Sequence, residues 1–185
     1  MVKLNLGSYT VMFQHGWINI DVEPLSLYAA LHGYNFMAHD LRLGLPFHDG
    51  SVDYIYSSHM LEHVSYAQGK ELLAHCYRAL KPAGVMRVAV PDLQLMAMAY
   101  LADNKESFDA DSEAARTMPF VAQKFWHILT DNHKAAYDKE VLGETANSLG
   151  FKAEQVAFGQ SVHTVFKEET KDLFPQISLY MELTK

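Results

Sequence analysis

Two histidines and a glutamate lie close together in the octapeptide SSHMLEHV. His59, Glu62 and His63 form the pattern H-x-x-E-H, which in inverted zinc peptidases places two imidazoles and a carboxylate around a metal ion. That geometry needs both histidines on an established helix and a further ligand from another helix. Here a predicted strand ends just before His59, and the spacing of Glu140 and Glu144 singles out neither as the further ligand. We therefore predict no metal site.

An aspartate ends each of two predicted strands. Asp21 closes the strand at residues 17–21, and Asp40 closes the strand at residues 35–40. In an open α/β sheet, ligands bind beyond the carboxyl ends of the strands, where the strand order reverses. A carboxylate at such a strand end can accept hydrogen bonds from both hydroxyls of a ribose, and we predict this role for Asp21. A turn residue or a helix cap is the alternative.

Short apolar strands alternate with helices along the chain. The strands are expected at residues 3–7, 17–21, 35–40, 51–56 and 85–92, with a terminal pair at 153–158 and 177–184. One helix with an apolar stripe precedes the fifth strand, and another covers residues 139–149 and stops at Gly150. This alternation predicts one α/β domain over residues 1–185, with a mostly parallel sheet, helices on both faces and an antiparallel C-terminal edge.

The composition is that of an ordinary globular domain, with 185 residues of which 49% are hydrophobic and 20% charged. The formal net charge is -7, and we expect no nucleic-acid partner because such proteins usually present a basic surface. One cysteine, Cys76, excludes an internal disulfide and suits a reducing compartment. The apolar run at residues 93–102 is about half as long as a membrane span. We expect a cytoplasmic protein without a membrane span.

Four motifs in order resemble one enzyme family. They are LNLGS, WINIDVEP, AHDLRLGLPFHDGSVDYIYSSHMLEHV and YRALKPAGVMRVAVPDL. They are similar to the class I S-adenosylmethionine-dependent methyltransferases, most of all to small members of the methyltransferase type 11 kind that combine an L-P-F turn, an L-E-H loop and an R-x-L-K-P-G-G hairpin. The tail, from NHKAAYD to ISLYMELTK, is similar too. The resemblance implies a Rossmann-like fold of the seven-stranded type and S-adenosylmethionine as the cofactor.

The resemblance also implies where the adenosine and the methyl group lie. The position of Asp40 contacts the adenine amino group, and Leu41 lies against the ring. Asp21 then holds the ribose of the same cofactor. Ser57 follows the fourth strand and would lie next to the transferable methyl.

Gly7 occupies the place where the backbone passes close to the amino-acid end of the cofactor, which a side chain would obstruct. Most relatives carry a second glycine soon afterwards, whereas this chain reads Gly7-Ser8-Tyr9. Ser8 can still hydrogen-bond the carboxylate of the cofactor. Affinity for the cofactor is the property that this departure affects.

Two histidines are candidates for the catalytic step, an in-line displacement at a sulfonium methyl. The protein mainly aligns the reacting atoms, and a base is needed only for an oxygen or nitrogen acceptor that loses a proton. An imidazole suits that task. We predict that His59, after the fourth strand, or His133, four residues before Tyr137, acts as the base or orients the acceptor. Loop structure and a helix start are the alternatives.

Two other functions fit the same residues. A non-catalytic methyltransferase-like module would bind nucleotide or a partner protein, and the sequence Gly7-Ser8-Tyr9 supports it. A nicotinamide-dependent oxidoreductase could hold its ribose on Asp21, but no G-x-G-x-x-G follows the first strand. The residues leave four classes of methyl acceptor open, namely a small molecule, a lipid, a sugar and a protein side chain.

A homodimer is the predicted assembly. The chain begins at its first strand, without the leading helices of many relatives. We expect one side of the sheet near residues 4–6 and 18–20 to be thinly covered, and a second copy would cover it.

Overall fold

The computed structural model describes residues 1–10, 12–109, 113–130, 132–170 and 172–185, which form one seven-stranded sheet in the order β3-β2-β1-β4-β5-β7-β6. The strands are β1 (Lys3–Leu6), β2 (Ile18–Asp21), β3 (Asn35–Ala38), β4 (Val52–Ser58), β5 (Leu80–Pro91), β6 (Lys152–Val156) and β7 (Ser178–Thr184). Strands β1 to β5 are parallel, and β7 is antiparallel to both β5 and β6. The predicted sheet and its antiparallel C-terminal edge are confirmed.

Seven α-helices accompany the sheet in the part of the chain that the structure describes. They are α1 (Ser26–His32), α2 (Tyr66–Ala79), α3 (Leu93–Leu101), α4 (Glu113–Thr117), α5 (Val121–Thr130), α6 (Lys139–Ser148) and α7 (Thr164–Glu168). Helix α2 begins with a capping box in which Ser65 and Gln68 satisfy each other's backbone N–H groups. Within the described ranges, every helix is too short or too polar to cross a lipid bilayer.

The strand order reverses at β1. From β1 the chain adds β2 and β3 on one side, and then places β4 and β5 on the other. The carboxyl ends of these parallel strands therefore meet at one edge, where Leu6, Asp21 and Ser58 are the last residues of β1, β2 and β4. This edge is the expected position of a ligand site.

The first face of the sheet packs against α2. Leu72, Leu73 and Cys76 of this helix belong to the same buried cluster as Leu4 and Ile55 of the strands. Each buried aliphatic side chain contributes about 1.5–3 kcal/mol relative to exposure. This apolar contact holds the strand ends in a fixed register beneath the ligand edge.

The second face of the sheet, opposite α2, is covered by the segment between β6 and β7. Side chains alternate along a strand, so Tyr56 points to the side opposite Ile55. Tyr56 packs there with Trp17 and with Phe166 of α7. Val165 and Phe166 are the two buried apolar residues of α7, and they explain why this segment folds back onto the sheet.

The expectation of a thinly covered sheet near residues 4–6 and 18–20 is wrong. Leu4, Leu6 and Ile20 are completely buried in the cluster that contains α2, and on the opposite face the buried Asn5 and Asn19 donate to the carbonyls of Met12 and Gln14. The homodimer thus loses the reason for which it was proposed. It stays a prediction that light scattering at micromolar concentration can test.

Candidate functional site

A cleft of about 390 Å³ lies at the edge where the strand order reverses. Its volume is within the range of small-molecule sites, about 300–1,000 Å³. Five residues singled out from the sequence line it, namely Gly7, Asp21, Asp40, Leu41 and His59. The fold thus gathers groups from the ends of β1, β2, β3 and β4 around one space, as the topology predicts.

Gly7 forms the floor of the cleft next to β1. Its φ is 65°, a left-handed conformation that glycine adopts readily, and its N–H donates to the carbonyl of Ile20 at 2.9 Å. A Cβ at this position would overlap the Cβ and Cγ atoms of Met60. The space beside Gly7, expected to admit the end of a ligand, is therefore filled by the Met60 side chain.

Asp21 presents its carboxylate at the end of β2 and is 8% exposed. Its Oδ2 accepts the N–H of Tyr9 at 2.8 Å, and its Oδ1 accepts the N–H of Glu23 at 3.1 Å. These bonds fix the orientation of the carboxylate. Each oxygen retains lone-pair capacity for a further donor, such as a ribose hydroxyl.

Asp40 follows β3 and is ion-paired with Arg42, whose Nε lies 2.9 Å from Oδ1 and whose Nη2 lies 2.6 Å from Oδ2. The hydrogen bonds from the Arg42 side chain and backbone lower the pKa of Asp40 to about 2. Asp40 is therefore ionised at any physiological pH. Leu41, the next residue, is buried at 9% exposure and gives the cleft an apolar wall.

His59 lies after β4 with a φ of 51° and lines the cleft. Its Nε2 is 3.0 Å from Ser178 Oγ, and its Nδ1 is 3.3 Å from Glu62 Oε1. The Phe174 ring packs edge-on against the imidazole. Both ring nitrogens thus have polar neighbours that hold the ring in place.

Three of the predicted site residues do not line the cleft. Ser8 and Ser57 are buried at 0% and 1% exposure, and within the described residues neither hydroxyl has a hydrogen-bond partner. His133 lies beside His63 instead, with the ring centroids 4.8 Å apart. Their predicted roles at the cofactor stay predictions.

Several residues of the cleft were missed in the sequence, among them Arg42, Met60 and Lys134. Arg42 stands two residues after Asp40 in a tight turn, and that spacing of opposite charges is a signal that could have been used. Met60 and Lys134 carry no such signal. Met60 is an ordinary apolar residue in the sequence, and Lys134 reaches the cleft because its N–H donates to the carbonyl of Glu62 at 2.8 Å.

A family model described as a methyltransferase domain matches residues 8–88, a little under half of the chain. This stretch runs from the residue after Gly7 to the middle of β5, so it contains most of the cleft. No curated protein matches the chain.

Solved structures of methyltransferases share the fold at low sequence identity. A SAM-dependent methyltransferase from Archaeoglobus fulgidus has a TM-score of 0.61 and 14% identity, and the match covers 99% of this chain and 85% of the Archaeoglobus chain. The methyltransferase from Mesorhizobium loti has a TM-score of 0.59 and 15% identity, and the match covers 100% of this chain and 90% of the Mesorhizobium chain. A third SAM-dependent methyltransferase, from Aquifex aeolicus, has a TM-score of 0.57 and 12% identity, and the match covers 100% of this chain and 81% of the Aquifex chain. The chain thus shares its fold with solved SAM-dependent methyltransferases, and its residues 8–88 match the model of a methyltransferase domain.

Proposed function

We propose that this protein binds S-adenosylmethionine in the cleft and catalyses transfer of its methyl group to an acceptor. The observation that carries the proposal is the meeting of Gly7, Asp21 and Asp40 at the ends of three adjacent parallel strands, in one cleft. The family-model match over residues 8–88 supports it. S-adenosylmethionine supplies a methyl group activated by a sulfonium sulfur.

The residues of the cleft fit this cofactor chemically. The oriented Asp21 carboxylate can accept from the ribose hydroxyls. The ionised Asp40 can accept from the adenine amino group, and Leu41 offers an apolar surface to the ring. Met60 is the one obstacle, since its side chain lies against Gly7, but methionine is unbranched and changes rotamer readily. In this proposal Met60 turns away from Gly7 when the cofactor binds.

His59 is our candidate for the general base. It lines the cleft, whereas His133 does not, and its contacts with Ser178 and Glu62 hold the imidazole in one orientation. In the proposed in-line displacement, His59 takes the proton of a hydroxyl or amine acceptor, a step that typically contributes about 10²–10⁴-fold. For such an acceptor, His59→Ala should lower kcat by that factor and leave cofactor affinity unchanged. Turnover equal to wild type would remove His59 from the mechanism.

Ligand binding tests the cofactor directly. A thermal shift compares S-adenosylhomocysteine with NAD, and at about a hundred times its Kd a ligand adds about 2.7 kcal/mol. For a chain of this size that raises Tm by about 2–4 °C per kcal/mol. We expect a rise with S-adenosylhomocysteine alone, weakened in Asp21→Asn and kept in Asp103→Asn, an exposed aspartate away from the cleft. A rise with NAD alone would instead support a nicotinamide-dependent oxidoreductase.

One observation favours a second candidate, the non-catalytic module that binds nucleotide or a partner. Met60 fills the space beside Gly7, which in this alternative stays closed to the amino-acid end of the cofactor. Transfer of a radiolabelled methyl group to small-molecule, lipid, sugar and protein acceptors distinguishes the two. Binding of S-adenosylhomocysteine without transfer to any of these acceptor classes would favour the module.

A further inference from the structure

Three potential metal ligands lie together beside the cleft. Glu62 and His63 belong to the turn after β4, and His133 comes from the chain between α5 and α6. One ligand atom from each lies within 4.8 Å of the others. His133 lies 70 positions after His63 in the sequence. Two backbone bonds join the two segments, from the N–H groups of Lys134 and Ala135 to the carbonyl of Glu62 at 2.8 and 3.2 Å.

The carboxylate of Glu62 is the reason to expect a cation here. Glu62 is 1% exposed, and among the described residues neither of its oxygens accepts a hydrogen bond. His59 Nδ1 approaches Oε1 at 3.3 Å, without the geometry of a hydrogen bond. A buried carboxylate that accepts no hydrogen bond is strongly unfavourable unless a positive charge compensates it.

The orientation of His63 suits a metal ligand. Its Nδ1 lies 3.3 Å from the carbonyl oxygen of Asn132, which can only accept, so Nδ1 carries the proton. The lone pair of Nε2 is then the one available for an ion. A bond from the second ring nitrogen to a backbone carbonyl is the usual way in which proteins orient a metal-binding histidine.

We propose that Glu62, His63 and His133 bind a divalent first-row transition-metal ion. Two imidazoles and one carboxylate form a ligand set that suits Zn²⁺ and Fe²⁺ better than Mg²⁺ or Ca²⁺, which prefer oxygen ligands. His59 orients Glu62 from the cleft side. Because His63 also lines the cleft, the ion lies at its edge, where an acceptor with an oxygen or nitrogen atom could occupy an open coordination position.

Calorimetric titration with ZnCl2 tests the site without cofactor or acceptor. We expect one ion per chain in the wild type and a loss of at least tenfold in affinity in Glu62→Gln, His63→Ala and His133→Ala. His48→Ala is the matched control, since His48 is exposed and distant in sequence, and it should bind like the wild type. Cobalt(II) should give a visible d–d spectrum that the three ligand variants lack.

Two outcomes overturn the proposal. Equal affinity in the wild type and all three ligand variants would show only nonspecific binding to the surface histidines. Absence of binding in a wild-type protein purified in chelator would also contradict it. The metal-free Tm of each variant separates loss of a ligand from loss of fold, and the results do not depend on whether the cleft binds S-adenosylmethionine.

Discussion

Arg87 on the second face of the sheet and Glu62 beside the cleft are both 1% exposed, and their surroundings differ. The Arg87 guanidinium donates to both carboxylate oxygens of Asp172, to the Gln160 carbonyl at 3.0 Å and to Glu182 at 2.8 Å. Burial favours loss of its proton, but the two carboxylates outweigh that effect and raise the pKa of Arg87.

Glu62 shows the opposite arrangement, since its carboxylate lacks any hydrogen bond from the residues that the structure describes. The difference separates two uses of a buried charge. The Arg87 network is complete within the chain and ties the β6–β7 segment to the sheet. The Glu62 carboxylate accepts no hydrogen bond from the described residues, and it lies beside two histidines at the edge of a cleft. This difference is why we propose a ligand site at Glu62 and none at Arg87.

Arg87→Met should have the largest effect on stability. It leaves the buried carboxylates of Asp172 and Glu182 without their guanidinium, and we expect the free energy of unfolding to fall by about 3–5 kcal/mol. Urea unfolding measures it. Arg42→Met, at an exposed ion pair, is the control and should change stability far less. Equal midpoints for both variants would contradict the structural role of Arg87.

Gly7→Ala should come next, with a loss of about 1–3 kcal/mol, because alanine is strained at a φ of 65° and its Cβ overlaps Met60. Gly33→Ala is a matched control, since Gly33 has a φ of 71° and nothing within 4 Å of an added Cβ. The excess loss in Gly7→Ala measures the overlap alone. Adding Met60→Gly, which deletes both overlapping atoms of Met60, should remove that excess, and an excess that persists would place the strain elsewhere.

Glu62→Gln should raise the free energy of unfolding by about 1 kcal/mol in metal-free buffer, because it removes an uncompensated buried charge. The same substitution should abolish any stabilisation by Zn²⁺. Chemical denaturation with and without the ion measures both. A loss of stability in chelator would mean that His59, 3.3 Å away, already stabilises the Glu62 carboxylate and that the contrast with Arg87 is wrong.

The smallest effect concerns the exposed pair of Asp40 and Arg42. The pKa of Asp40 is lowered to about 2 in the folded protein, against about 3.9 in an unfolded chain. A depressed pKa stabilises the fold above the unfolded value, and this contribution is lost as the pH falls from about 4 to about 2. Asp40→Asn should flatten the dependence of stability on pH in that interval. If the dependence of stability on pH below about pH 4 were the same in Asp40→Asn as in the wild type, the ion pair would be contradicted.

Most of the sheet could be predicted from the sequence because its signals are local. Asp21 and Asp40 end short apolar strands, and Gly150 ends the helix before β6, so neighbouring residues define each boundary. The packing of the β6–β7 segment on the second face could not be predicted. Arg87 and Asp172, which join the two, are 85 residues apart, and the sequence around one gives no sign of the other. The two buried residues of α7 are likewise too few to stand out in a polar segment.

The candidate site shows the same limit. The H-x-x-E-H pattern was visible, but a further ligand was sought on the helix of Glu140 and Glu144. His133 comes from a segment without regular structure, and the backbone bonds of the next two residues bring it close to Glu62. The space beside Gly7 was predicted to be open, and only the fold shows that Met60 fills it.

A crystal structure of the complex with S-adenosylhomocysteine tests the central claim most directly. The account predicts adenosine in the cleft, with the ribose hydroxyls on Asp21, the adenine amino group near Asp40 and the Met60 side chain turned away from Gly7. Ligand density outside this cleft, or a bound ligand that makes no contact with Asp21, would contradict it.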